Sequence, residues 1–160
     1  MTVDSTLLGA VGALLLVACW TDISSLRIPN WVSAGIVGLF PLFAIGLPLT
    51  EILQHVLAGL VVLVVGSGLF AWGKLGGGDV KLLAATSLWV GWGPTLLDLF
   101  LAIGVLGAAI SLVVIALRSR IVAAVFHGQG YRPAVLDPNA GAPYAVAVAG
   151  GFFLVSFVPA

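Results

Sequence analysis

The sequence predicts an all-α polytopic membrane protein, a single bundle of about six transmembrane helices over residues 1–160. Three observations predict it. Hydrophobic residues make up 61% of the chain and charged residues 8%, and the mean hydropathy of +1.24 lies far from that of soluble domains. The apolar stretches also come close to the roughly 20 residues that a helix rising 1.5 Å per residue needs to cross a hydrocarbon core. Six Lys and Arg against six Asp and Glu give zero net charge, which removes the basic footprint of a nucleic-acid binder, so no nucleic-acid partner is expected. One cysteine, Cys19, excludes an internal disulfide, a Cys-x-x-Cys redox motif and a cysteine-built zinc site.

The elements follow in order. The first helix is predicted at 5–21. Its Leu16-Val17-Ala18-Cys19 stretch resembles a lipoprotein signal, but a secretory signal opens on basic residues, and none precedes Cys19 whereas Asp4 does. A retained first span is expected. The turn Arg27-Ile28-Pro29-Asn30 leads into a second helix at 31–48, closed by Gly46-Leu47-Pro48. A third helix at 51–72 runs into the glycine-rich Gly73 to Gly78 connection. The fourth, at 79–93, is short and broken by Gly91 and Gly93; the fifth is predicted at 96–117. A long Arg118 to Pro143 segment precedes the last helix, at 142–159. Small residues at four-residue spacing, such as Ala34/Gly38, Gly104/Ala108 and Ala147/Gly151, permit close helix contact.

Positive charge orients this bundle. Arg27 lies in the first connection, Lys74 and Lys81 flank the third, and Arg118, Arg120 and Arg132 lie in the fifth. All six fall on one side, predicted to be cytoplasmic, which puts both termini, Glu51 and Asp98 on the other.

Ionisable groups at the edge of an apolar span are costly, so each calls for a role. Asp22, in Trp20-Thr21-Asp22-Ile23, follows the first span, and Asp79 closes Gly76-Gly77-Gly78-Asp79 at the start of the fourth. Both are predicted at the cytoplasmic boundary. Two carboxylates at one depth can form an aspartic dyad, one activating water and the other protonating a carbonyl. The same pattern also fits plain interfacial charges or, for Asp79, a helix N-cap. The glycines fit either a flexible loop or an unwound segment whose free N–H and C=O groups pair with an extended substrate. A phosphate-binding loop does not fit, because Lys74 precedes the glycines and no Lys-Ser/Thr closes them. Helix ends separate the roles: Asp22 at a C-terminus is expected to be the acid, and Asp79 at an N-terminus the base.

Asp22 with Arg27-Ile28-Pro29-Asn30, Gly76-Gly77-Gly78-Asp79-Val80-Lys81, and Pro143-Tyr144 before a small-residue-rich last span together resemble the type IV prepilin peptidases. These are intramembrane aspartic proteases with a Gly-x-Gly-Asp motif, and the likeness is greatest to the short members serving Flp-type (tight adherence) pili. The resemblance implies that Asp22 and Asp79 are catalytic, with Gly76, Gly77, Gly78, Lys81, Arg27, Pro29 and Asn30 binding substrate or supporting the motifs. It implies cleavage of a short basic leader from a prepilin or pseudopilin at the cytoplasmic face of a bacterial or archaeal membrane, with no metal or cofactor. Larger members carry an insertion with paired Cys-x-x-Cys motifs and methylate the new N-terminus; this chain has neither that insertion nor its paired cysteines, so proteolysis without methylation is expected.

The other polar residues have simpler readings. Glu51 and His55 form an i, i+4 pair rather than a metal site, and Asp98 is a dipole partner near a helix start. Arg118 to His127 reads as an amphipathic segment on anionic headgroups. Arg27 and Lys81 suit substrate carboxylates and lipid phosphates equally. The rival function is a non-enzymatic transport or pilus-assembly subunit passing ions or protons by way of its aspartates. Such passage favours charges deep inside the spans, whereas these lie at one interface.

Overall fold

The computed structural model describes residues 5–118 and 141–157, and all its regular structure is helical. Helices run at α1 Ser5–Ser25, α2 Asn30–Ala44, α3 Leu49–Ala71, α4 Gly77–Val90, α5 Pro94–Leu117 and α6 Tyr144–Phe157. The predicted segment Arg118 to His127, with Arg120 and His127, lies outside the described residues beyond Arg118, as does Arg132.

Helix ends move from their predicted places for local reasons. α1 continues to Ser25 instead of stopping at 21 because its polar last turn satisfies itself. Thr21 Oγ1 donates to the carbonyls of Val17 and Ala18 at 3.0 Å, and Ser25 Oγ to that of Thr21 at 2.7 Å. It closes on Leu26, whose φ of 51° is left-handed and whose N–H reaches the Asp22 carbonyl at 2.8 Å. α2 stops at Ala44 rather than 48: Gly46 turns at φ 87°, and Pro48 bars Leu47 from helical backbone. α4 is displaced toward the N-terminus, beginning at Gly77 and ending where Gly91 takes φ 80°.

α1, α3 and α5 are long and apolar enough to cross a membrane, and α2 and α6 are shorter apolar helices. α2 has 15 residues and α4 has 14, about 22 and 21 Å of rise against a hydrocarbon core of about 30 Å. α4 is the hub. It packs on α2, α3, α5 and α6 and buries an unbroken run from Ala84 to Trp89, as expected of a helix apolar on all sides and enclosed by others. The core joins Val11, Leu15 and Ala18 of α1, Val32 and Ile36 of α2, Leu82 and Ala85 of α4, and Val148 and Phe152 of α6. α3 and α5 bury only a narrow stripe and turn Leu60, Val64, Leu101 and Val105 outward, where lipid is the favourable solvent.

At one end Phe43 stacks on Trp89 at 5.3 Å, with Phe40 and His55 beside them. Trp89 Nε1 donates to the Ile36 carbonyl at 2.9 Å, and His55 Nδ1 meets the Leu88 carbonyl at 2.9 Å. His55 is thus a helix-to-helix tie from α3 to α4. At the other end lie the α1–α2 and α3–α4 connections, with Arg27, Lys74, Lys81 and Arg118. Trp20, Trp31 and Trp72 are exposed near that same end, the position that indole rings favour at a membrane–water interface.

Candidate active site

Asp22 is only 5% exposed, and a buried carboxylate needs partners. It lies in the last turn of α1, and its Oδ2 accepts a hydrogen bond from the backbone N–H of Ala145 at 2.9 Å. Ala145 is the second residue of α6, so its N–H is one of the four that the helix cannot satisfy internally. Asp22 therefore supplies, from a distant part of the chain, the acceptor that an N-cap side chain normally provides. Cys19, one turn earlier on α1, directs its thiol at the Ala145 carbonyl at 3.5 Å. Ala145 is held at both its backbone N–H and its backbone C=O.

Asp79 is the third residue of α4, not its N-cap; the cap is Gly76, with extended backbone. The Asp79 carboxylate folds back onto the Gly76 N–H, the reach-back half of a capping box. A Cβ at Gly76 would stand 2.5 Å from Asp79 Oδ2, so any side chain there displaces the carboxylate. Asp79 and Asp22 are close enough for direct repulsion between their charges. Two elements far apart in sequence thus bring two carboxylates to one end of the bundle. The contrast between their helix ends is lessened, since Asp22 faces the N-terminus of α6 while Asp79 lies at the N-terminus of α4. The acid and base roles expected from α1 and α4 taken by themselves do not follow from this arrangement.

The glycine run differs from the open strand-like segment that the sequence allows. Gly77 and Gly78 are helical and serve close packing. A Cβ on Gly78 would meet Ile28 Cβ at 3.1 Å, and one on Gly77 the Phe70 ring at 3.3 Å. The non-helical stretch is Trp72 to Gly76, where Gly73 turns at φ 68°. The two motifs are joined a second time by Lys81 Nζ, which donates to Asn30 Oδ1 at 2.9 Å. Pro29 caps α2, and its carbonyl accepts from Val32 N–H at 3.1 Å. Arg27 is exposed in the connection. The structure therefore joins Ile28 to Gly78 and Asn30 to Lys81 at the dyad end of the bundle, while Arg27 stands outward.

Ala145 and Cys19 are the site members that sequence reasoning missed. Cys19 carried a signal, its i, i+3 spacing from Asp22; Ala145 carried none, because its contribution is a backbone N–H. Among the described residues no group of three His, Cys, Asp or Glu is arranged to hold a metal ion. Two carboxylates within range of each other's charge favour holding one proton between them, one then able to act as base and the other as acid.

A model of the type IV leader peptidase family matches residues 9–112. The match runs from within α1 to within α5, takes in Asp22, Asp79 and the Gly76–Lys81 motif, and leaves α6 outside. No curated protein and no solved structure matches the chain. The chain belongs to the type IV leader peptidase family.

Proposed function

We propose that this peptidase is an intramembrane aspartic endopeptidase that removes the short basic leader of a type IV prepilin or pseudopilin, of the Flp type, at the cytoplasmic face. The observation that carries the reading is the pairing itself: a buried Asp22, fixed by Ala145, within repulsion range of Asp79. Repulsion between adjacent carboxylates favours the state that holds one proton between them, which is the state a water-activating dyad requires. The ionised carboxylate takes a proton from water as the oxygen attacks the scissile carbonyl, and the protonated one donates to the carbonyl oxygen. The carboxyl that took the water proton then gives it to the leaving amine as the C–N bond breaks, while the other carboxylate takes a proton from a hydroxyl of the gem-diol, which frees the new carboxyl terminus and restores the singly protonated pair.

Three features support this placement of the chemistry. Arg27, Lys74, Lys81 and Arg118 and the exposed Trp20, Trp31 and Trp72 gather at the dyad end, which fits an interfacial site facing the cytoplasm. In the non-helical stretch beside Asp79 the N–H groups of Gly73, Lys74 and Gly76 are bonded within the chain, and the backbone around Leu75 is what an extended substrate would pair with. Among the described residues the buried polar side chains besides Asp22 are Ser33, Thr86 and Ser87, which make no chain of charges for ion passage. The test is incubation of the purified protein with a full-length prepilin, reading products by mass. A single cut after the basic leader is expected, with no added methyl group when S-adenosylmethionine is supplied. An intact precursor, under conditions where the protein is inserted and folded, would refute the assignment.

A further inference from the structure

α2 and α3 both pack on α4, and they meet through Phe40 and Phe43 against His55, at ring distances of 5.6 and 5.3 Å. Toward the dyad end they part and leave a groove of about 690 Å³. Its floor is the face of α4 that carries Lys81, Ala84, Ala85 and Leu88. Asp79 stands two residues before Lys81, about 200° around the helix at 3.6 residues per turn. The groove is therefore separate from the dyad.

Three properties describe its occupant. Along the α2 wall the groove runs from Asn30 to Pro41, about 16 Å of helix rise, or half of a hydrocarbon core of about 30 Å. It stops at the Phe40–His55 contact, so it takes a chain reaching the bilayer midplane and not a helix crossing the whole membrane. Its lining is apolar except for Ser33 and the mouth, where Lys81 donates one proton to Asn30 Oδ1. That leaves the remaining ammonium protons, the positive charge and the Asn30 amide N–H₂ for an anion. One turn deeper Ser33 lines the same groove, and its buried hydroxyl has no hydrogen-bond partner; a change of rotamer offers it to an ester carbonyl at glycerol depth.

We propose that this groove binds one anionic phospholipid of the dyad-side leaflet, its phosphate on Lys81 and Asn30 and an acyl chain along α2 toward Phe40. The lipid fills the wedge between α2 and α3 and so steadies both motif segments. The inference does not depend on what the dyad cleaves.

Native mass spectrometry of the protein from mild detergent tests it, with phosphatidylglycerol, phosphatidylcholine or inorganic phosphate added in parallel. A Cβ on Gly38 meets nothing within 4 Å, so Gly38→Phe plugs the groove without a clash at Cβ; Ala34→Leu is a smaller plug should that variant misfold. The wild type is expected to keep one phosphatidylglycerol per chain, about tenfold over phosphatidylcholine, a ratio equal to about 1.4 kcal/mol. Lys81→Gln should erase the preference, and either plug should remove the lipid while the thermal melting of the monomer is retained. Equal retention across these proteins, equal retention of the two lipids by the wild type, or capture of inorganic phosphate with no lipid would overturn the proposal. So would a second copy of the chain, lost on plugging, in place of the lipid.

Discussion

Asp22 and Asp79 are held in different ways, and the difference tells which neighbours matter. Asp22 relies on a backbone N–H from another helix, whereas Asp79 relies on the absence of a side chain at Gly76. Asp22→Asn and Asp79→Asn are each expected to lower kcat at least about 10³-fold, within the range for loss of a general acid or base, with membrane insertion unchanged. Gly76→Ala should cost nearly as much without removing either carboxylate, because its methyl carbon would stand 2.5 Å from Asp79 Oδ2 and push it away; near-normal turnover would show that the reach-back bond is not needed. Cys19→Ser should keep activity, since a hydroxyl can donate to the Ala145 carbonyl as the thiol does. The two aspartates were legible in the sequence because carboxylates are rare beside apolar spans. Ala145 was not, because a peptide N–H leaves no mark in residue identity.

At the scale of elements, α6 is more than a packing partner. It brings its unsatisfied N-terminus to Asp22, although it lies beyond the stretch shared with the family. Replacing the Ala145 amide by an ester deletes the donor without altering the side chain. A hydrogen bond to a charged group contributes about 1.5–3 kcal/mol, so kcat should fall roughly 10- to 100-fold with KM and insertion unchanged. A change in KM with kcat preserved would assign the bond to substrate binding. Ala145→Pro, tolerated in a first helical turn, should act in the same direction. Leu26, left-handed at the end of α1, bears strain that glycine lacks, so Leu26→Gly is expected to raise the melting temperature slightly, by up to about 1 kcal/mol of stability. A lowered melting temperature would mean that the Leu26 side chain contributes more than its backbone costs. All six helices were legible from hydropathy, while their ends were not. Hydroxyls that bond back onto their own helix extended α1, and Gly46 with Pro48 shortened α2, and neither effect is visible in an apolar count.

For the molecule as a whole, long α1, α3 and α5 stand beside the shorter α2, α4 and α6. The even-numbered helices are about 21–22 Å long where a bilayer core is about 30 Å, which favours a locally thinned membrane near α4. Activity in vesicles is accordingly expected to fall as acyl chains lengthen; no dependence on chain length would show that the mismatch is absorbed elsewhere. The assembly of these helices around α4 was beyond the reach of the sequence, because the α2–α4 and α4–α6 contacts join segments whose apolar faces have no distinguishing pattern. The central claim is that Asp22 and Asp79 act as one catalytic pair. Its most direct measurement is the pH dependence of leader release from one prepilin by the wild type and by each Asn variant, quantified by mass in the same lipid vesicles. A bell-shaped profile for the wild type, with release lost at every pH in both variants, is the expected result. Leader release by either variant at near wild-type rate would contradict the account.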